Sequence, residues 1–235
     1  MFNPRAKLSL VPLGGRQRCL VVDDALLNPE ELVRLAGERR TEFRPIDGNA
    51  YPGVCLAAPD DVVRSLGDFF ALRVRRHFDA RRLVRMHGRL SLVTLPPEAL
   101  RPFQWLCHRD GESIDARQSI QASILYLFQD ERLGGTSFYE LARSISEIAA
   151  LFADSKRMAA GEFTQRYAID PGYIQSSNSY FRCIGSVAAR WNRMIFYDGS
   201  MLHSGDVDAS RSLSADPLTG RLTLNGFFTS LRNLI

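Results

Sequence analysis

The residues of this chain whose types and spacing can do redox chemistry are His108, Asp110 and His203. His108-Arg109-Asp110 forms a short H-x-D arm. The distant histidine sits in Asp198-Gly-Ser-Met-Leu-His203-Ser-Gly205. Two imidazoles and one carboxylate are the facial set that holds ferrous iron, leaving three octahedral positions open. Open positions admit a co-substrate and dioxygen, so the chemistry expected is oxygen activation. The chain holds four histidines, and the other two, His77 and His87, fall in an arginine-rich segment and are expected at the surface.

Strand geometry makes the arm plausible. Residues i and i+2 of a strand point the same way, so His108 and Asp110 reach one point while Arg109 turns away. The third ligand must then come from another strand. Trp105, Gln104 and Arg109 flank the arm and are candidates for substrate contact, although core packing is the plainer reading of Trp105. Cys107 reads as a small buried neighbour. Asn178, Tyr180 and Arg182 alternate and are further candidates for the rim of a site.

A second constellation lies near the end of the chain. In Gly220-Arg221-Leu-Thr223-Leu-Asn225, Arg221 and Thr223 share one face and Leu222 and Leu224 the other. An inward guanidinium left unpaired is costly, so an anion is expected beside it. A carboxylate held by Arg221 with help from the Thr223 hydroxyl is the natural solution. There is no H-x-H arm and no G-x-S-x-G elbow, which speaks against a cupin-type site and a serine hydrolase.

The elements that must position these residues are legible in outline. Residues 18–23 read as an apolar strand. Asn28, Pro29 and Glu31 then start a helix that runs to about Arg40, with Asn28 as its cap. A turn is expected over Asn49–Gly53. A second helix starts near Asp60, with Val62, Val63, Leu66, Phe69, Phe70 and Val74 at helical spacing. Strands follow at Leu90–Leu95 and Ser119–Phe128, where Ile120, Ala122, Ile124, Tyr126 and Phe128 share a face. Further strands are expected at Thr136–Tyr139, Tyr180–Val187, Arg193–Tyr197 and Gly220–Phe228. Leu141 to about residue 165 breaks that pattern as a helical insertion, with Leu141, Ile145, Ile148 and Phe152 on one stripe. Helices first and many short strands after predict a mainly β chain with flanking helices (α+β), a barrel or sandwich buttressed over residues 24–80. One domain over 1–235 is expected, because the N-terminal part is too short to bury its own apolar faces.

Composition sets the remaining bounds. With 45% hydrophobic and 24% charged residues the chain has an ordinary globular make-up. The net charge of +4 is concentrated in Arg73, Arg75, Arg76, Arg81, Arg82, Arg85 and Arg89. That run is either an anion-binding patch or a solvated helix face, and without interleaved aromatics nucleic acid is not the expected partner. Four widely spaced cysteines form no C-x-x-C pair, which suits a reduced compartment. Residues 1–15 lack a signal-peptide core, and no stretch has the length of a membrane span, so a cytoplasmic location is expected.

These motifs together resemble the iron(II)- and 2-oxoglutarate-dependent dioxygenases, nearest to the prolyl-hydroxylase-like branch. Val21-Val-Asp-Asp-Ala-Leu26 with Pro29-Glu30-Glu31 resembles that branch's opening strand and helix. His108-Arg-Asp110 resembles its H-x-D, Ile124-Leu-Tyr126-Leu127 and Gly134-Gly-Thr136-Ser-Phe138 its next two segments, His203 its distal ligand, and Arg221-Leu-Thr223 its co-substrate anchor. The resemblance implies a double-stranded β-helix, or jelly-roll barrel, with iron on His108, Asp110 and His203. It implies 2-oxoglutarate held by Arg221, Thr223 and the Tyr126 hydroxyl, and decarboxylated to succinate as dioxygen is consumed. An intact Asp110 implies hydroxylation of a C–H bond rather than halogenation. The substrate, a small molecule or a peptide or protein, and the oligomeric state stay open. The chain departs from the pattern in the long connection of residues 204–220, where Arg211 competes with Arg221 as the anchor, and in Phe128 after Tyr126-Leu127. The alternative is a barrel that has become a binding or interaction module, for which the complete triad is an unexpected holding.

Overall fold

Alternation with period two in the sequence becomes two antiparallel sheets. The structure, a computed structural model, describes residues 1–46, 50–111, 115–208 and 213–233. Its strands are β1 (Lys7–Pro12), β2 (Arg18–Asp23), β3 (Arg44–Pro45), β4 (Gly53–Ala57), β5 (Arg82–Val93), β6 (Gln118–Tyr126), β7 (Thr136–Leu141), β8 (Phe181–Val187), β9 (Met194–Asp198), β10 (Leu202–Gly205) and β11 (Arg221–Leu231). The helices are α1 (Pro29–Glu38), α2 (Asp60–Phe69), α3 (Ile145–Arg157) and α4 (Ala160–Tyr167). The large sheet runs β1-β2-β9-β6-β11-β5-β4-β3, and the small one β10-β7-β8.

Side-chain alternation stacks these elements in layers. On one face of the large sheet, Leu20, Val22, Leu125, Met194, Phe196, Leu222 and Leu224 pack against Leu32, Leu66 and Phe70 of the N-terminal helical segments. On the other face, Cys19, Val21, Ala122, Tyr126, Ile195 and Tyr197 meet Phe138 and Val187 of the small sheet. A third cluster joins the small sheet, through Tyr139, Phe181 and Leu202, to Ile148, Leu151 and Phe163 of α3 and α4. A one-residue slip in any central strand would exchange these faces, so the alternation itself fixes the register.

Several elements differ from the sequence expectations. β5 begins at Arg82, not Leu90, so Arg82, Arg85 and Arg89 lie on a strand and the arginine run is not one helix face. Nor is it uniformly solvated: Arg73 donates to the carbonyls of Pro4 and Ala6, and Arg75 to those of Ala71 and Arg81. A charge run carries no period, which is why the strand beneath it went unread. The strands β1, β3 and β4 are additions, and so is β10, for which the sequence predicts only a strand carrying His203, without bounds. Asn28 makes no side-chain cap; its amide donates instead to the Glu31 carboxylate at 3.1 Å. Of the expected 49–53 turn, Asn49 lies outside the described residues. The insertion is two helices, not one, and Leu141 belongs to β7. Ser144 is the reason: its hydroxyl caps Glu147 N while the Glu147 carboxylate accepts from Ser144 N, which starts α3 at Ile145. No helix among the described residues is long and apolar enough to cross a membrane.

The core and the surface of α3 make opposite predictions. Phe228 is fully buried and stacks on Phe70 with ring centroids 4.2 Å apart, whereas Ile145 is 79% exposed. Phe228→Ala is expected to cost about 3–5 kcal/mol in urea unfolding. Ile145→Ala should stay within about 0.5 kcal/mol of the parent in the same measurement.

Candidate active site

The metal-ligand candidates converge through backbone first. His108 N donates to His203 O and His203 N donates to His108 O, both at 2.9 Å. This is a single antiparallel bridge at the free edge of β10. The arm is therefore extended at His108 but is not a strand, contrary to expectation. β10 offers it only four residues, and Asp110 N is already bonded to Gly199 O, at 2.9 Å, in the turn before β10.

The side chains follow that pairing. The two imidazole centroids lie 4.5 Å apart, and one donor atom each from His108, Asp110 and His203 falls within 4.8 Å of the others. His203 Nε2 stands 3.2 Å from Asp110 Oδ2, and His108 Nε2 stands 3.9 Å from Asp110 Oδ1. Asp110 and His203 are closed in, with side-chain exposures of 9% and 4%, but His108 keeps 35%. The opening of the site is therefore on the His108 side.

A second ring of contacts fixes the orientations. Tyr197 donates its hydroxyl to Asp110 Oδ2 at 2.9 Å, and its ring lies 4.7 Å from that of His203. His203 Nδ1 is 3.0 Å from Met201 O, a contact that places the ring's proton on Nδ1. In that neutral tautomer the Nε2 lone pair faces a carboxylate oxygen at 3.2 Å. Two lone pairs so close repel unless a proton or a cation lies between them. The donor set thus fits a divalent cation, with the ring orientation that metal-binding histidines take.

Electrostatics divides the three. Burial works to raise the Asp110 pKa, but the His203 charge and hydrogen bond, His108 and the Tyr197 hydroxyl outweigh it and bring it down to about 2. Burial, reinforced by the charge of His203, lowers His108 to about 4. Burial also acts to lower His203, yet the Asp110 charge and hydrogen bond raise it above the ordinary imidazole value. His203 is consequently the last of the three to lose its proton as pH rises.

Arg221 and Thr223 line the same pocket as the triad, on the face predicted for them. The expected anion is partly replaced by main chain. Arg221 Nε donates to the carbonyls of Leu133 and Gly134, at 3.0 and 3.2 Å, and Nη2 to those of Gly134 and Gly135, at 3.0 and 2.8 Å. Among the described residues Nη1 has no such partner, and it remains for a ligand. The carbonyl cradle needs its glycines: a Cβ on Gly134 would lie 1.5 Å from Asp206 O, at a φ of +88°. Thr223 Oγ1 bonds Asn225 Oδ1 at 2.7 Å. Tyr126 stands behind the pocket, with its hydroxyl 2.8 Å from Thr136 Oγ1. Arg211 lies outside the described residues.

Sequence reasoning missed Arg89, Tyr51, Tyr173 and Asn225, all of which line the pocket. Arg89 pairs in register with Asn225, and its guanidinium lies 5.1 Å from the centre of the Phe227 ring and 5.4 Å from that of Tyr51. Its Nε is buried and has no hydrogen-bond partner among the described residues, so the pocket carries a second cation beside Arg221. The signal was present as Arg89-Leu90-Ser91-Leu92, which alternates as Arg221-Leu222-Thr223-Leu224 does. Gln104 also lines the pocket, while Trp105 is buried against Phe163 and donates to Leu100 O. Asn178, Tyr180 and Arg182 line neither this pocket nor its neighbour: Asn178 caps a turn and Arg182 pairs with Glu140. A larger cleft of about 710 Å³, between α1 and residues 127–130 and 218–220, contains none of the triad.

Comparison with known proteins places the fold. The sequence model of one family, described as a family of unknown function (DUF6445), matches residues 4–228. No curated protein matches the chain. HygX from Streptomyces hygroscopicus, solved with nickel and 2-oxoglutarate bound, aligns over 92% of this chain and 84% of its own, with 12% identity and a TM-score of 0.50. SnoK, a non-heme alpha-ketoglutarate-dependent carbocyclase from nogalamycin biosynthesis, aligns over 91% of this chain and 79% of its own, with 13% identity and the same TM-score of 0.50. At these identities the likeness is one of fold.

Two outcomes are expected at this site. Nickel affinity, measured by titration calorimetry between about pH 5.5 and 8.5, should rise with pH until His203 is deprotonated, with the midpoint above the usual imidazole range. Tyr197→Phe frees one Asp110 oxygen and should weaken metal binding about 10–100-fold at constant pH.

Proposed function

As a member of the DUF6445 family, the chain carries a triad and a cationic pocket from which we propose its activity: an iron(II)- and 2-oxoglutarate-dependent oxygenase that hydroxylates a C–H bond. The observation that carries this reading is the convergence of His108, Asp110 and His203 within 4.8 Å, open at His108 toward a pocket holding Arg221 and Thr223. The likeness of fold to HygX and SnoK supports it, and so does their dependence on, or binding of, 2-oxoglutarate. The two facing sheets correspond, in this reading, to a double-stranded β-helix formed as one domain.

Each residue then has a physical task. His108, Asp110 and His203 hold the iron, and Tyr197 and the Met201 carbonyl keep Asp110 and His203 aimed at it. Arg221 Nη1 receives the distal carboxylate of 2-oxoglutarate, and the Thr223 hydroxyl joins it by turning its one proton from Asn225 Oδ1 to the carboxylate, while the carbonyl cradle keeps the guanidinium from swinging away. Tyr126, whose hydroxyl is held by Thr136 and which does not line the pocket, makes no direct contact with the carboxylate in this reading. Iron with bound 2-oxoglutarate supplies the oxidising chemistry, using dioxygen and releasing succinate and carbon dioxide. Closed walls at Asp110 and His203 limit access of water to the His108 side, where substrate must also arrive.

Protein loaded anaerobically with iron(II) and 2-oxoglutarate is expected to form succinate when air is admitted. His203→Ala should abolish both iron retention and succinate. Arg221→Ala should retain iron but raise the 2-oxoglutarate requirement by about 10–100-fold, as loss of a charge-assisted pair does. A wild-type protein that binds neither iron nor 2-oxoglutarate in calorimetry would overturn the reading.

A further inference from the structure

Helix α3 places Ile145, Ile148, Ala149, Phe152 and Lys156 along one groove of about 620 Å³. Those positions are three, four, seven and eleven residues on from Ile145, a single helical stripe of about 16 Å at 1.5 Å per residue. Phe103, Leu141 and Leu202 form the facing wall. Of the stripe expected from sequence, Leu141 lies on β7 and Ile145, Ile148 and Phe152 lie on α3, and these do not all enter the core: Ile148 is buried, and Ile145 is 79% exposed at the rim. The volume falls in the range of about 300–1,000 Å³ typical of small-molecule sites.

The groove and the triad's pocket share a wall, since both are lined by Ala50 and His108. His108 is the one ligand with an open side chain, so whatever fills the groove comes up against the accessible side of the centre. The charges in the groove are of one sign. Arg109 and Lys156 line it, no acidic side chain among the described residues does, and neither cation has a carboxylate partner among the described residues. Arg109, next in the chain to His108, lines the groove and not the triad's pocket.

We propose that the groove is the substrate site and that it takes an apolar carboxylate: a molecule with an acyl or arylalkyl body against the α3 stripe and a carboxylate held by Arg109 and Lys156. The inference rests on the triad being an oxygenase centre, and it assigns the substrate class of that centre. An apolar body suits the wall of Ile, Ala, Phe and Leu, and two cations with no carboxylate partner among the described residues select against a neutral or cationic head group.

The test is calorimetric titration of the nickel- and 2-oxoglutarate-loaded protein with decanoate, decan-1-ol and decyltrimethylammonium, each below its micellar concentration. Decanoate is expected to bind at least about tenfold more tightly than the alcohol, and the ammonium not to bind. Arg109→Gln with Lys156→Gln should remove that advantage, leaving alcohol binding unchanged, and Ala149→Trp should block both the acid and the alcohol. Equal binding of acid and alcohol, or unaltered decanoate binding by Ala149→Trp, overturns the proposal. Nickel and 2-oxoglutarate binding without decanoate binding overturns the groove and spares the centre. Decanoate binding without metal binding overturns the centre and leaves the groove's ligand class standing.

Discussion

The site depends on one pair of backbone hydrogen bonds, those exchanged by His108 and His203. Among the described residues from Thr94 to Arg117 there is no regular strand, so few main-chain contacts fix their course. At the middle of that stretch, the reciprocal bonds to His203 and the further bond from Asp110 N to Gly199 O seat the arm on the edge of β10. A hydrogen-bonded antiparallel pair holds its Cα atoms about 5.5 Å apart, which is close enough for both imidazoles to meet one point. Everything chemical follows: the carboxylate two residues on shares that point, and the Tyr197 phenol from the large sheet closes over it.

The energetics of the site come from enclosing polar groups that satisfy one another incompletely. A buried carboxylate is tolerated because two imidazoles and a phenol surround it. A buried guanidinium is tolerated because three carbonyls of residues 133–135 take most of its donors. Both arrangements leave something over: a lone pair on His203 and an amino group on Arg221. What the fold leaves unsatisfied on each side of the pocket is complementary to a cation at one end and an anion at the other.

Sequence alone went far where period and residue type agree. The alternation of Arg221-Leu222-Thr223-Leu224 separated core from pocket correctly, and the three histidine and aspartate candidates are the ones brought together. Reading stopped where one pattern masked another. Seven arginines over residues 73–89 concealed the start of β5 and with it Arg89, because solvated charge obeys no period. A buried arginine needs an anion only for the donors that backbone carbonyls leave over, and those carbonyls are invisible in a pattern of side chains. The stripe Leu141, Ile145, Ile148 and Phe152 was found without its strand-to-helix break, because Ser144 and Glu147 set that break through a local cap.

The register at the base of the insertion bears on how such a protein can diversify. Leu141 ends β7, Phe181 begins β8, and the two are direct partners in the ladder. Residues 142–180, with both helices, are therefore no more than the connection of a hairpin. Lengthening a connection whose ends are already held together costs little, since closure entropy grows only with the logarithm of its length. The helices pack on the small sheet through Ile148, Leu151 and Phe163, and the Tyr167 hydroxyl ties them to each other by donating to Asp154 at 2.6 Å. Changes confined to the exposed face of α3 can therefore alter what the wall beside His108 admits, while Tyr173 and the residues packed on the small sheet keep their places.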